Sequence, residues 1–397
     1  MASDGTEDDS FGSAVSVQRD TVIIGAPYDD DGGKGRGSAY VFTRDLGGID
    51  NWGELKKLFA EDIANEDRFG TSVSVFGDTV VIGAPAENSD RGSAYVFSRN
   101  HGGSNNWGQV TKLVAEDAPF NARFGTSVSL HADTVVIGAS SDASNRGSAY
   151  VFSRNMGGAE NWGQVTKLTT SDGVSDDRFG ESVSLSGHIA VIGAFGDSDN
   201  GLASGSAYVF SRSEGGANNW GEVTKLKAAD GAMFDRFGLS VAVNGDTAII
   251  GASGDDDNLS SSGSAYVFSR NQGGKDAWGE VTKLTSSDAD EGDQFGSSVS
   301  IDGDSIVIGA RAENEARGAA YIFLRHEGGL DAWGEVSKLT ASDGAEGDQF
   351  GGAVSTNGNT AVVGASIGFG ASPWSGTAYV EIGAPIVGDL IFEGGFE

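Results

Sequence analysis

The stretch FGTSVSVFGDTVVIGAP, residues 69–85, decides how this chain folds. Residues 71–75 alternate polar and apolar side chains, and residues 79–83 are rich in β-branched ones. A short Gly-Asp pair lies between the two runs. Such runs predict two strands, and Gly-Asp between them predicts a tight hairpin turn. Helical periodicity is absent from the stretch. The local prediction is therefore a β-hairpin.

The opening pair Phe-Gly is the start of a unit that repeats along the chain. Successive copies are separated by 55 or 58 residues, and seven copies cover nearly all 397 residues. Repetition at a fixed period means one repeat architecture rather than two or three separate domains. We therefore predict a single domain over 1–397, with repeats that begin at Phe11, Phe69, Phe124, Phe179, Phe237, Phe295 and Phe350.

Each repeat contains four predicted strands, named a to d in chain order. In the second repeat they are 71–75, 79–83, 93–98 and 107–113. Along strand c, Tyr95 and Phe97 fall on one face and the smaller Ala94 and Val96 on the other, because strand side chains alternate. A bulky face and a small face suit sheets that stack on identical neighbours. We predict an all-β fold, a seven-bladed β-propeller of four-stranded antiparallel blades.

The strand count leaves the last blade incomplete. Strand d has the pattern WGxVxKL in most copies and occurs six times, beginning at Trp52, Trp107, Trp162, Trp220, Trp278 and Trp333. The tail 388–397 contains a short apolar run, 390–392. We predict that this tail supplies the fourth strand that closes the last blade.

Composition excludes several classes of function. The net charge of -31 repels phosphate backbones and anionic lipids, so we expect neither nucleic acid as a partner nor direct membrane insertion. The absence of cysteine excludes disulfides and thiolate chemistry. The first ten residues, MASDGTEDDS, lack the basic and apolar regions of an export signal.

The repeated unit, as in KLTASDGAEGDQFGGAVSTNGNTAVVGA at 338–365, resembles the FG-GAP repeats of bacterial proteins and, more distantly, of integrin α heads. The resemblance implies a propeller that is secreted or displayed on a bacterial cell surface and works in binding or adhesion. It also implies where calcium would bind, in an acidic loop between Phe-Gly and Gly-Ala-Pro. Here only short turns such as FGD and HAD occupy that place, so we do not expect the family's calcium loop in any repeat.

Acidic residues concentrate on one predicted face of the disc. The connections from strand d to the next strand a (da loops) and from b to c (bc loops) share that face, and they hold 35 of the 57 acidic residues. In the da loops, recurrent Asp pairs such as Asp62 with Asp67 fit turn caps or partners of nearby arginines, or else weak Ca²⁺ sites.

The bc loops vary most in length. The glycines that flank them are 9 or 12 residues apart, whereas the strands are nearly identical. Loops on a rigid scaffold commonly carry binding chemistry, so the candidate binding residues are Asp29, Asp30, Asp31, Asp197, Asp199, Asp255, Asp256, Asp257, Phe369 and Trp374. Asp29, Asp31, Asp255 and Asp257 are also candidate Ca²⁺ ligands, and a solvated acidic turn is the alternative interpretation.

No catalytic motif is recognisable, and the four histidines lie on different repeats. We therefore expect a non-catalytic module that presents its loops to an extracellular protein or glycan. Two alternatives remain at this point. One is a polysaccharide-acting enzyme with a shallow central site, and the other is a self-assembling surface or fibre subunit, in which copies of the chain associate.

Overall fold

The computed structural model describes residues 2–31, 33–46, 48–214, 216, 218–368 and 374–383. They form seven antiparallel sheets, each built from strands consecutive in the chain, which we number blades 1 to 7 in chain order. Six sheets have four strands and the last has three. The predicted seven-bladed propeller is confirmed. The tail 388–397, predicted to close the last blade, lies outside the described residues.

The strands recur with nearly constant bounds. The innermost strands a are Ala14–Gln18, Ser72–Phe76, Val128–His131, Val183–Ser186, Ser240–Asn244, Phe295–Asp302 and Phe350–Asn357. Strands b are Thr21–Ala26, Thr79–Ala84, Thr134–Ala139, Ile189–Ala194, Thr247–Ala252, Ser305–Ala310 and Thr360–Ala365. Strands c are Ser38–Thr43, Ser93–Ser98, Ser148–Ser153, Ser206–Ser211, Ser264–Ser269, Ala319–Leu324 and Thr377–Ile382. Strands d are Gly53–Leu58, Gly108–Leu113, Gly163–Leu168, Gly221–Leu226, Gly279–Leu284 and Gly334–Leu339.

Strand c shows why one sequence pattern suits every blade. Tyr95 and Phe97 pack into the core between blades 1 and 2, whereas Ala94 and Val96 pack into the core between blades 2 and 3. Each interface thus joins the large face of one sheet to the small face of its neighbour, as the alternation predicts. The core is a series of apolar layers between the blades.

The Phe-Gly pair fastens neighbouring blades together. The N–H of Phe124 donates to the carbonyl of Arg91 in the preceding blade at 2.9 Å, and its ring packs edge-on against Tyr150 in its own blade. Gly125 has φ of 96°, and a Cβ there would lie 2.3 Å from the carbonyl oxygen of Ser93. Only glycine fits this close approach. The pair is therefore a packing element.

Serine hydroxyls connect the innermost strands around the axis. Ser16 Oγ, for example, accepts the N–H of Val75 in the next blade at 3.1 Å. The same bond recurs between successive blades from Ser74, Ser129, Ser184 and Ser300. Ser355 Oγ of blade 7 accepts the N–H of Val17 in blade 1 at 3.0 Å, which closes the ring. Blade 5 carries Ala242 at this position.

The tryptophans at the start of strand d are structural. All six are at most 4 % exposed. An arginine guanidinium lies over four of the rings, as Arg99 does over Trp107 at 4.7 Å. Outer-strand packing is therefore their role, and they offer no open stacking surface. No helix of the described residues has the length and apolarity to cross a membrane.

Candidate functional site

The da and bc loops share one face because every described blade is an antiparallel meander. Each da loop lies between two bc loops. Phe69 of the second da loop, for instance, donates its N–H to Arg36 in the first bc loop at 2.9 Å. Neighbouring loops can therefore combine side chains that are far apart in sequence. We call this surface the loop face.

Three blades bring three aspartates together on the loop face. One comes from the da loop and two from the following bc loop, and in each triad three carboxylate oxygens lie within 4.8 Å of one another. The triads are Asp4, Asp29 and Asp31 in blade 1, Asp172, Asp197 and Asp199 in blade 4, and Asp230, Asp255 and Asp257 in blade 5. This set of hard oxygen donors could bind a metal ion.

A lysine from strand d already lies at the centre of each triad. Lys225 Nζ is 2.7 Å from Asp172, 2.7 Å from Asp197 and 2.8 Å from Asp199. Lys57 and Lys283 make the equivalent three contacts at 2.6–2.9 Å. The ammonium thus occupies the position where a cation would gain most from the carboxylates.

The electrostatics of the triads follow from this arrangement. Burial opposes the charge on Lys225, yet hydrogen bonds to Asp172, Asp197 and Asp199 raise its pKa well above the ordinary value. Burial likewise opposes ionisation of Asp172, but its bonds to Lys225 and Tyr208 bring its pKa below the ordinary value. Lys225 and Asp172 therefore form an ion pair at neutral pH.

The first bc-loop aspartate of each triad (Asp29, Asp197 or Asp255) is buried and held by hydrogen bonds. Asp197 is 3 % exposed. It accepts a hydrogen bond from the hydroxyl of Tyr208 at 3.1 Å, and another from the N–H of Asp199 at 3.1 Å. Asp29 and Asp255 have the same partners in their blades. A buried carboxyl group with this many hydrogen-bond donors is held in one position.

The blades with short bc loops keep the lysine but reduce the carboxylates. In blade 3, Lys167 Nζ contacts Asp117 at 2.8 Å and the buried Asp142 at 2.7 Å. Blades 2 and 6 use Glu87 and Glu313 in place of Asp142. These short loops contain three successive residues with left-handed φ, as in Ala143, Ser144 and Asn145 at 51°, 64° and 62°. Such backbone strain is common at binding sites.

The second aspartate of each da-loop pair has a different role. Asp67 Oδ2 accepts the N–H of Ala64 at 2.6 Å, which caps the turn. Asp235 does the same for Ala232. Burial, the largest cause, and the nearby Asp255, Asp256 and Asp257 raise the pKa of Asp235 to about 6. Turn capping is thus confirmed for the second aspartate, whereas the first pairs with lysine rather than arginine.

The candidate residues from the sequence separate into three groups. Asp29, Asp31, Asp197, Asp199, Asp255 and Asp257 lie in the triads. Asp30 and Asp256 are exposed and lie outside them. Trp374 is 48 % exposed, and its carbonyl accepts the N–H of Ser10 where blades 7 and 1 meet. Phe369 lies outside the described residues.

Sequence reasoning did not combine the two loop classes. Asp4 and the partnership of Asp172 and Asp230 with the bc loops were missed, as were the central lysines. A signal was present, because the lysine of WGxVxKL and the tyrosine of strand c are constant in the complete repeats. A constant lysine on a half-buried outer strand was the usable indication.

Comparison with known protein families gives one result. The FG-GAP repeat model matches seven segments: residues 1–42, 52–97, 107–152, 162–210, 220–268, 278–323 and 333–380. Each segment after the first runs from strand d of one blade through strands a and b into strand c of the next, and together the segments cover most of the chain. A search of curated proteins returned no match.

Proposed function

Because the chain belongs to the FG-GAP repeat family, whose propeller fold is commonly used for binding, we propose that it is a non-catalytic extracellular binding module. The loop face presents the bc loops to a protein or glycan partner. Secretion or display on a bacterial cell surface is part of this proposal. The net charge of -31 fits a partner other than nucleic acid or a bare anionic membrane.

One observation carries the proposal: variation in length is concentrated in the bc loops while the scaffold is constant. In all six four-stranded blades, the pairing of strand c with strand d shifts register at the same position, just before the phenylalanine of strand c. A scaffold this regular with variable loops at one face is the arrangement of a binding surface.

Exposed apolar side chains support the same face. Tyr28, Leu202, Leu259 and Trp374 of the bc loops are 44–59 % exposed. The da loops add Phe120, Val174, Met233 and Phe234 at 52–60 %. Apolar groups set in an acidic, solvated surface are typical of contact sites for a partner.

A loop exchange tests the proposal. Residues 252–262 of blade 5 are replaced by the short-loop residues 84–91 of blade 2, and the variant is compared with wild type on glycan and surface-protein arrays. The matched control exchanges the turn between strands c and d, replacing 271–277 with 100–106. We expect the bc exchange to remove binding to at least one ligand and the control to keep it.

Three results would contradict the proposal. The first is that the bc-loop variant and the control variant bind every ligand equally, whichever bc loop is exchanged. The partner would then bind outside the loop face. Release of new reducing ends from a bound polysaccharide would identify an enzyme. Concentration-dependent mass in solution, without a ligand, would indicate a self-assembling subunit instead.

We also propose Ca²⁺ as the metal for the three Asp triads, held weakly. The ion has to displace a lysine that contacts three carboxylates, so binding at millimolar concentrations is expected. Calorimetric titration with Ca²⁺ tests this directly. No heat of binding up to 10 mM, in wild type and in a lysine-free triad, would remove the metal from the proposal.

A further inference from the structure

The loop face, although acidic overall, contains a cleft that is lined by two arginines and no carboxylate. It is about 650 Å³ in volume and lies over the bc loop of blade 3. The da loop before it contributes Phe120, Asn121 and Arg123, the bc loop contributes Ser144 and Asn145 among others, and Arg178 enters from the next da loop. Two guanidinium groups therefore border one polar cleft.

These arginines are only weakly compensated. Among the described residues, Arg178 has no ion pair. The nearest carboxylate to Arg123 is that of Asp90, at 4.0 Å, and Arg123 is 49 % exposed. Asp176 at the rim is engaged by the side-chain amide of Asn145 at 2.9 Å. Free guanidinium groups are the preferred protein partners of carboxylate and sulfate groups.

The sequence of this repeat removes the carboxylates found elsewhere. The residue two before Phe-Gly is aspartate in six repeats, Asp9, Asp67, Asp177, Asp235, Asp293 and Asp348, but Ala122 here. Residues 118–122 contain no acidic side chain at all. The one carboxylate of the bc loop, Asp142, is 3 % exposed and paired with Lys167. The cleft is thus less acidic than the corresponding places in the repeats that keep this aspartate.

Its other groups suit a sugar. The hydroxyls of Ser141 and Ser144 and the amides of Asn121 and Asn145 can bond to ring hydroxyls. The ring of Phe120 is 60 % exposed, and the guanidinium of Arg91 lies 4.2 Å from its centre. Arg91 therefore supports the ring, which offers an apolar surface to the C–H face of a sugar.

We propose that this cleft binds an acidic saccharide, with Arg123 and Arg178 holding its carboxylate or sulfate group. The inference rests on the proposed binding function and names a ligand class for it. A short oligosaccharide is the better ligand, because a long anionic polymer extends over the surrounding acidic loops and is repelled.

Calorimetry with a trigalacturonate tests the proposal, with its methyl ester and a sulfated disaccharide as parallel ligands. We expect trigalacturonate to bind and the neutral ester to bind at least tenfold more weakly. Stronger binding of the sulfated sugar would assign the site to sulfate. Arg178→Gln and Arg123→Gln should each weaken binding about tenfold, since each loses a charge-assisted hydrogen bond.

Ala122→Asp is the decisive variant. It restores the aspartate of six other repeats, so the fold should tolerate it, although burial of the new carboxylate should lower the melting temperature slightly at neutral pH. Well below that temperature we expect the variant to have lost binding. Arg236→Gln, the equivalent change in blade 5, is the control and should bind as wild type does. Binding that survives Ala122→Asp in the folded protein would overturn the proposal, as would preference for an acidic peptide over the sugar. If the sugar fails but the loop exchange still removes another ligand, only this inference falls; if neither experiment detects binding, the proposed function falls as well.

Discussion

Replacement of Lys225 by alanine tests the argument that lysine holds the triads together. The change leaves Asp172, Asp197 and Asp199 in contact without their common partner. Removal of one member of a buried ion pair costs about 3–5 kcal/mol. Two of the three aspartates are more than 40 % exposed, so solvent compensates part of this loss, and we expect about 2–3 kcal/mol.

The measurement is thermal and urea unfolding in EDTA. For a chain of this length, the unfolding entropy of about 2.1 cal/mol/K per residue converts the loss into a fall of about 2–4 °C in melting temperature. Lys227→Ala is the matched control, because Lys227 is 41 % exposed and 3.4 Å from Asp199 alone. It should shift stability by less than about 0.5 kcal/mol.

Calcium completes the experiment. Without the lysine the triad is open, and 10 mM Ca²⁺ acting at a site with a dissociation constant of about 1 mM should return about 1.4 kcal/mol. Wild type should gain much less. The reasoning is refuted if Lys225→Ala melts like wild type in EDTA. Equal Ca²⁺ stabilisation of both proteins would show that the lysine does not compete for the site.

Two further predictions concern single positions. Because the pKa of Asp235 is raised to about 6 from 3.8, the folded protein loses stability as pH rises between those values. The variant Asp235→Asn keeps an acceptor for the N–H of Ala232. Urea unfolding should show that it is more stable than wild type by about 1–2 kcal/mol at pH 7.5, and this gain should shrink towards zero at pH 4. A gain of the same size at both pH values would contradict the assignment. Ser355→Ala should lower stability by about 1 kcal/mol by removing the ring-closing bond to Val17, and Ala242→Ser should raise it by up to about 1 kcal/mol by completing the serine ring. Differential scanning calorimetry of the two serine-ring variants checks this pair, and a destabilised Ala242→Ser would show that the ring position in blade 5 cannot accept a hydroxyl.

Local patterns in the sequence were sufficient to predict the fold and the number of repeats. Strands in the second repeat were predicted to within one residue of their bounds, because period-two alternation and Gly-containing turns are local signals. The opposite faces of Tyr95 and Ala94 in strand c also followed from alternation alone. Seven copies of Phe-Gly at spacings of 55 or 58 residues were enough to count the blades.

The assembly of the loop face depends on contacts between residues that are far apart in the chain. Asp172 and Asp197 are 25 residues apart, and Lys225 is another 28 residues away, so no local pattern joins them. They meet because an antiparallel blade returns its da loop, bc loop and outer strand to the same edge of the disc. The same folding places Arg123 and Arg178, one repeat apart, on a single cleft. Alternation is a local property, so it shows which side chains share a face of a strand. Which lysine pairs with a given carboxylate depends on how close the two groups come in the folded chain, and no local pattern contains that information.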